Sequence, residues 1–318
     1  MSAVAPGFAD VDDFIRTITD RIWEGRRFDD IRRHYAPDVV VETPTGTTVG
    51  VEPVIAATRA TLAEFPDRRL LAEDVILSGD AAAGVLSSHR ILSPMTHAAD
   101  GAFGRATGRP VVVRTVADCV VRDGRIVHEW LVRDQSAIAA QLGLGAEAVA
   151  RARLRAHGPF ESPATTVAPA PYRPTLDDAP AARAWSEAWA TLWSVGDPRA
   201  LEASHARDAI VALPGGTAAV GHAAIARAWS DVLAALRDAR WTLEQRALLE
   251  RPGRAGALAM RWRVTARHAG GTRYGPPTDR PISLLGITHA EIEDGRVVRE
   301  WVLIDEIAIW MQVLTPRR

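Results

Sequence analysis

Residues Arg122–Asp134 read RDGRIVHEWLVRD and residues Glu293–Asp305 read EDGRVVREWVLID, so one hairpin is written twice in the chain. The stretches before them match as well: Thr96–Pro110 is THAADGAFGRATGRP, and Thr265–Pro281 is TARHAGGTRYGPPTDRP. A shift of 171 residues carries Arg90, His97, Thr107, Glu129, Trp130, Asp134 and Gln141 onto Arg261, His268, Thr278, Glu300, Trp301, Asp305 and Gln312 without a gap. From Arg90 to Gln141, 17 of 52 positions are identical under that shift. Farther upstream the shift is 170, taking Trp23 to Trp193 and Pro44 to Pro214, with one extra residue in the second copy before Gly221. Solenoid repeats recur every ~20–50 residues, so a period this long marks a duplicated domain.

Each copy places helices first and strands afterwards. Asp10–Glu24 repeats apolar residues at helical spacing through Val11, Phe14, Ile18 and Ile22, with Asp10 as N-cap. A short helix over Phe28–Tyr35, a strand over Val39–Val41 and a helix over Val51–Phe65 follow. After Pro66 the period becomes two, predicting strands over Leu70–Leu77, Ala82–Met95, Pro110–Val121 and Ile126–Val132, the last two joined by a tight Asp123-Gly124 turn. A helix over Gln135–Leu142 closes the copy, and the second repeats the order from Ala181–Val195 to Glu306–Val313. The expected class is α+β: two copies, each a strongly curved antiparallel sheet with helices packed on one face. The boundaries fall at 1–145, 146–176 and 177–318, the middle segment being a helix near Ala146–Ala156 and the Pro-rich linker Gly158–Pro174.

At 318 residues the chain exceeds what one core usually fills. A formal net charge of −1 offers no long-range field to nucleic acid or an anionic membrane, so neither is an expected partner. Met1–Asp10 lacks the basic start and apolar run of a signal peptide, and no stretch reaches the ~18 apolar residues of a membrane span; a cytoplasmic location is expected. Cys119 is the lone cysteine, among apolar strand neighbours that predict an inert thiol. The histidines are scattered and the Gly215-Gly216 pair is followed by no P-loop lysine, so neither a metal nor a cofactor is expected.

The ordered parts, a threonine-histidine-glycine strand end, a Pro-Pro-Thr loop and a DG-R…W…D hairpin, resemble those of SnoaL-like polyketide cyclases within the nuclear transport factor 2-like superfamily. HYAPDVVVETP from His34 to Pro44 is similar to that family's link from second helix to first strand. The resemblance implies an apolar cone open to a small organic ligand, and cofactor-independent acid/base chemistry of the cyclase, isomerase or dehydratase type on a small carbonyl compound. It also implies sheets that pair through their outer faces, here as an intramolecular pseudo-dimer of the two domains and as a homodimer. The family's acid/base aspartate follows the strand tryptophan, where this chain has Leu131 and Val302. The rival expectation is therefore a ligand-binding or scaffold protein with degenerate pockets.

Strand alternation offers another acid. In Val127–Asp134, Glu129, Leu131 and Arg133 share one face, so if the family position faces the pocket, Glu129 and Glu300 face it too. Buried in an apolar cavity, such a carboxyl could take a proton from carbon beside a carbonyl; it could equally be neutralised by Arg90 or Arg261 from a neighbouring strand. His97 and His268, at matching strand ends, are the other candidate acid/base groups, with hydrogen bonding to backbone as their structural alternative. Tyr35, Arg90, Trp23, His205, Arg261 and Trp189 are the candidate ligand contacts. Eight of ten tryptophans fall in the second copy, and Trp185, Trp189 and Trp193 share a helix face, which predicts an aromatic pocket or a core stripe there. Asp118 and His289 occupy one repeat position with opposite character and should face outward, where a pseudo-twofold pairing would bring them together.

Overall fold

The structure is a computed structural model that describes residues 4, 6–162, 165, 166, 168 and 170–316. Parts of two sequence expectations, the Met1–Asp10 start and the Gly158–Pro174 linker, lie outside the described residues. The chain forms two compact units, Met1–Leu144 with Pro163–Pro174 and Gly145–Ser162 with Thr175–Arg318.

In the first unit α1 (Val11–Trp23), α2 (Asp29–His34), β1 (Tyr35–Thr43), β2 (Gly46–Val49) and α3 (Val51–Glu64) precede β3 (Leu71–Asp80), β4 (Gly84–Thr96), β5 (Pro110–Arg122), β6 (Arg125–Arg133) and α4 (Gln135–Gln141). Asp10 caps α1 by accepting from the Asp13 amide at 2.8 Å. The six strands lie in the order β2-β1-β6-β5-β4-β3. One feature departs from the antiparallel expectation: β1 runs parallel to β6, with Val41 beside Glu129, so the sheet is mixed. Between the two strands lie β2, α3 and the β3–β4–β5 meander, a connection long enough for a parallel return. The short β2 arm, unforeseen in the sequence, pairs with β1 through Val40 and Val49.

The second unit opens with α5 (Ala146–His157), which packs on its closing helix α8 (Glu306–Leu314). It then repeats the plan as α6 (Pro180–Val195), β7 (His205–Leu213), β8 (Thr217–Val220), α7 (His222–Ala235), β9 (Leu236–Leu249), β10 (Gly256–His268), β11 (Pro281–Glu293) and β12 (Arg296–Leu303). The strand order is β8-β7-β12-β11-β10-β9. No described helix is long and apolar enough to cross a membrane.

Many residues that survive in both copies are those that hold this plan together. The Asp-Gly pairs turn the last hairpins with positive φ at both positions, 50° and 72° in one and 48° and 75° in the other, which is the twist a two-residue hairpin needs. Asp134 caps α4 through the Ala137 amide at 3.0 Å, and Asp305 caps α8 through Ile307 at the same distance. Gln141 brackets Val112 with two 2.8 Å bonds to its backbone, and Gln312 brackets Ser283 likewise at 2.7 and 3.0 Å. Asp118 and His289 are buried on the face opposite the cavity-lining positions of their own sheets, where Asp118 accepts from Ser88.

Candidate active site

The first unit encloses a cavity of about 160 Å³ between its helices and the inner face of its sheet. Alternation along the strands decides what reaches it: Glu129, Leu131 and Arg133 from β6, Thr115, Ala117 and Cys119 from β5, and His89 from β4. Helices α1 and α3 add Ile15, Thr19, Trp23, Thr58 and Thr61, and Tyr35 and Arg68 close the ring.

Glu129 is 8% exposed. Its Oε2 accepts from the Tyr35 hydroxyl at 3.3 Å, and the Cys119 thiol also lies against it. Burial pushes this carboxyl up to about 7, against the smaller opposing pulls of Tyr35, the Arg133 charge and Cys119. Tyr35 moves the other way from reactivity. Burial and the neighbouring carboxylate hold its phenol well above the usual range, so it stays a hydrogen-bond donor. Burial likewise lowers His89 to about 3, leaving a neutral imidazole in the cavity wall, where its Nε2 has no hydrogen-bond partner.

Of the sequence candidates, Glu129, Tyr35 and Trp23 line this cavity. Arg90 and Arg261 do not, and the expectation that they neutralise the glutamates is corrected. Even-numbered β4 positions face outward, so Arg90 shares Glu73 with Arg114 at 3.2 and 2.9 Å, and Arg261 shares Glu244 with Arg263. His97 and His268 also lie outside the cavity; they clamp the loop that follows their strands. His97 Nδ1 meets Thr107 Oγ1 at 3.1 Å, and His268 Nδ1 meets Thr278 Oγ1 at 2.8 Å. Burial lowers His268 below the usual imidazole range. Both side chains are fully buried, which suits a clamp better than a proton shuttle.

Glu300 sits where Glu129 does, yet three side chains enclose it. Its Oε1 accepts from the indole N–H groups of Trp185 at 2.6 Å and Trp189 at 2.9 Å, and its Oε2 lies 3.2 Å from His205 Nε2. His205 Nδ1 faces the Leu201 carbonyl at 2.9 Å and donates to it. Neither group is left to a ligand. Trp189 packs at 5.2 Å ring-centroid distance against both Trp229 and Trp262, in a cluster whose indoles are at most 2% exposed. Glu300, His205 and Trp189 are therefore core rather than pocket, and the aromatic stripe is a filling. What is left near that position is a recess of about 50 Å³ lined by Leu213, Trp229, Val232 and Ile304 among others.

The sequence reading missed His89, Arg68, Arg133 and the cavity threonines as site residues. Arg133 was within reach, since the alternation that selects Glu129 also selects it. Arg68 precedes β3 in a loop and carries no periodic signal. Among the described residues no cluster of three or more histidine, cysteine, aspartate or glutamate side chains is arranged to hold a metal ion.

No curated protein matches this chain. Among solved structures, IdmH from Streptomyces antibioticus is 27% identical, with 42% of this chain covering 98% of that one at a TM-score of 0.37. TsrD from Streptomyces laurentii is 21% identical over 44% of this chain and 98% of its own, with a TM-score of 0.36. A SnoaL-like polyketide cyclase from Agrobacterium tumefaciens is 24% identical over 42% and 97%, with a TM-score of 0.33. The family model of the SnoaL-like polyketide cyclases matches twice, over residues 14–142 and 183–313. With most of its length accounted for by these two matches, the chain belongs to the SnoaL-like polyketide cyclase family, as two domains in tandem.

Proposed function

We propose that the first unit is a cofactor-independent enzyme that moves a proton at carbon beside a carbonyl, in the manner of a cyclase, isomerase or dehydratase, and that the second is a non-catalytic copy. The observation that carries this is the Glu129 carboxyl, buried in an open cavity, opposed by no arginine hydrogen bond and poised at about 7. A group with that balance is substantially ionised at neutral pH, where it can accept a proton, and the acid so formed is strong enough to return it. Tyr35 keeps the carboxyl oriented through its hydroxyl. In the forward step the C–H bond breaks, its proton passes to Glu129, and the electron pair moves to the ligand carbonyl as an enolate; return of the proton to a different carbon gives an isomer, while collapse of the enolate to a C=C bond breaks the β C–O bond and the proton leaves with that hydroxyl as water.

The scaffold reading is favoured for the second unit alone, because Glu300 is already satisfied by Trp185, Trp189 and His205. The test is solvent-deuterium incorporation into a panel of β-keto esters and ω-keto acids, followed by NMR. Wild type should exchange at least one of them faster than buffer. Glu129→Gln should lower that rate by ~10²–10⁴, the usual range for removing a general base, while Glu300→Gln leaves it unchanged. Exchange that survives Glu129→Gln, or that wild type never accelerates, would refute the assignment.

A further inference from the structure

We infer that the ligand of the first unit carries a carboxylate, received by Arg68 with Arg133 beside it. This deepens the acid/base reading of the same cavity, and rests on it only for the ligand's other end.

Arg68 is 3% exposed, and it lines the cavity. Its guanidinium lies 4.6 Å over the Trp23 ring, which fixes its plane. Its hydrogen bonds go to Ser93 Oγ, at 3.4 Å from Nε and 3.3 Å from Nη2, both beyond the usual N–H···O range. Nη1 is buried with no hydrogen-bond partner, and no carboxylate pairs with Arg68 among the described residues. Buried cations are ordinarily paired, and one left without an anion is strongly unfavourable unless something else supplies it.

The surroundings make the deficit sharper. Arg133 lines the same cavity, close enough for its charge to act on Arg68. The one carboxyl in the lining among the described residues, Glu129, stands four residues back along β6, its hydrogen bonds go to Tyr35 and Cys119, and burial favours its neutral form. Charge in the hollow is thus positive at one end and proton-accepting at the other. A planar guanidinium presents paired N–H donors that match the two oxygens of a carboxylate. In the second unit, where the hollow is filled, the equivalent positions are Ala239 and Ile304, so both cations vanish together with the space they would serve. An arginine kept for packing alone has no reason to follow that correlation. The ligand class is a keto acid of modest size, its carboxylate at Arg68 and its carbonyl toward Glu129 and Tyr35.

Calorimetric titration of the full chain with 4-oxopentanoate and 4-oxo-4-phenylbutanoate, each beside its primary amide, and with inorganic phosphate is the test. At least one carboxylate should bind ten-fold or more tighter than its amide and tighter than phosphate. Arg68→Met, which keeps bulk and removes charge, should erase the preference; Arg133→Met should reduce it and serves if the first variant fails to fold. Glu129→Gln should retain the preference while losing deuterium exchange. Equal binding of acid and amide, tighter binding of phosphate, no binding of either acid, or a preference that outlives both arginine variants would overturn the inference. Exchange undiminished in Glu129→Gln, with the carboxylate preference intact, would instead sink the catalytic role alone.

Discussion

The two halves of this chain share a backbone plan and differ in what fills it. In the first, threonines face the hollow at Thr19, Thr43, Thr58, Thr61 and Thr115; their counterparts are Trp189, Leu213, Trp229, Val232 and Gly286. The exchange is cooperative in space. Ile91 and Thr115 are cross-strand partners in β4 and β5, and the same pair in the second unit is Trp262 and Gly286. A Cβ built on Gly286 would lie 2.2 Å from the Trp262 ring, so the indole enters only because its partner has no side chain. The buried glutamate persists through this change, and its surroundings decide its state: open to the cavity and near 7 in one unit, enclosed by two indoles and an imidazole in the other. A duplicated carboxylate is thus no evidence of duplicated chemistry.

The largest effect that would sharpen this contrast comes from reopening the second hollow. Trp189→Thr removes a fully buried indole and one donor to Glu300, and should destabilise the protein by about 3–5 kcal/mol in denaturant titrations. A loss below about 1 kcal/mol would mean that the tryptophan cluster is not the core of that unit.

Next is the pH dependence of stability. The Glu129 carboxyl has an ordinary value of 4.5 and a folded value of about 7, so between those limits the native state holds one more proton than the unfolded chain. Its contribution is complete below the lower value and is lost as pH climbs through the upper one. Glu129→Gln cannot ionise, so its stability relative to wild type should improve between pH 5 and 8 by about 2–3 kcal/mol. A wild-type-minus-variant difference that is flat across that window would break the comparison at its most sensitive point.

Gly286→Thr should cost about 2 kcal/mol through overpacking against Trp262, measurable as a lowered melting temperature. The smallest change belongs to Glu300→Gln. The amide oxygen can accept from both indoles while the amide N–H donates to His205 Nε2, so stability should move by less than about 1 kcal/mol. A much larger loss would show that this enclosure distinguishes a carboxyl from an amide, and that Glu300 does more than accept from the two indoles.

Sequence alone determined the duplication, the order of elements and the α+β class, because helical and strand periods, the Asp-Gly turns and the Asp10 cap are written in neighbouring residues. Alternation in β6 and β12, joined to the family's inward acid position, aimed Glu129 and Glu300 inward. The repeat made His97, His268, Arg90 and Arg261 stand out as matched polar residues, and there it misled: they recur because a loop clamp and an outer-face ion pair hold the shared plan. Which half is hollow was decided only by tertiary structure. A cavity is the difference between the volume that several elements enclose and the volume their side chains fill, and Thr19, Thr58 and Thr115 come from three separate elements. No local window contains that sum, nor the burial that raises one glutamate and leaves Arg68 without an anion.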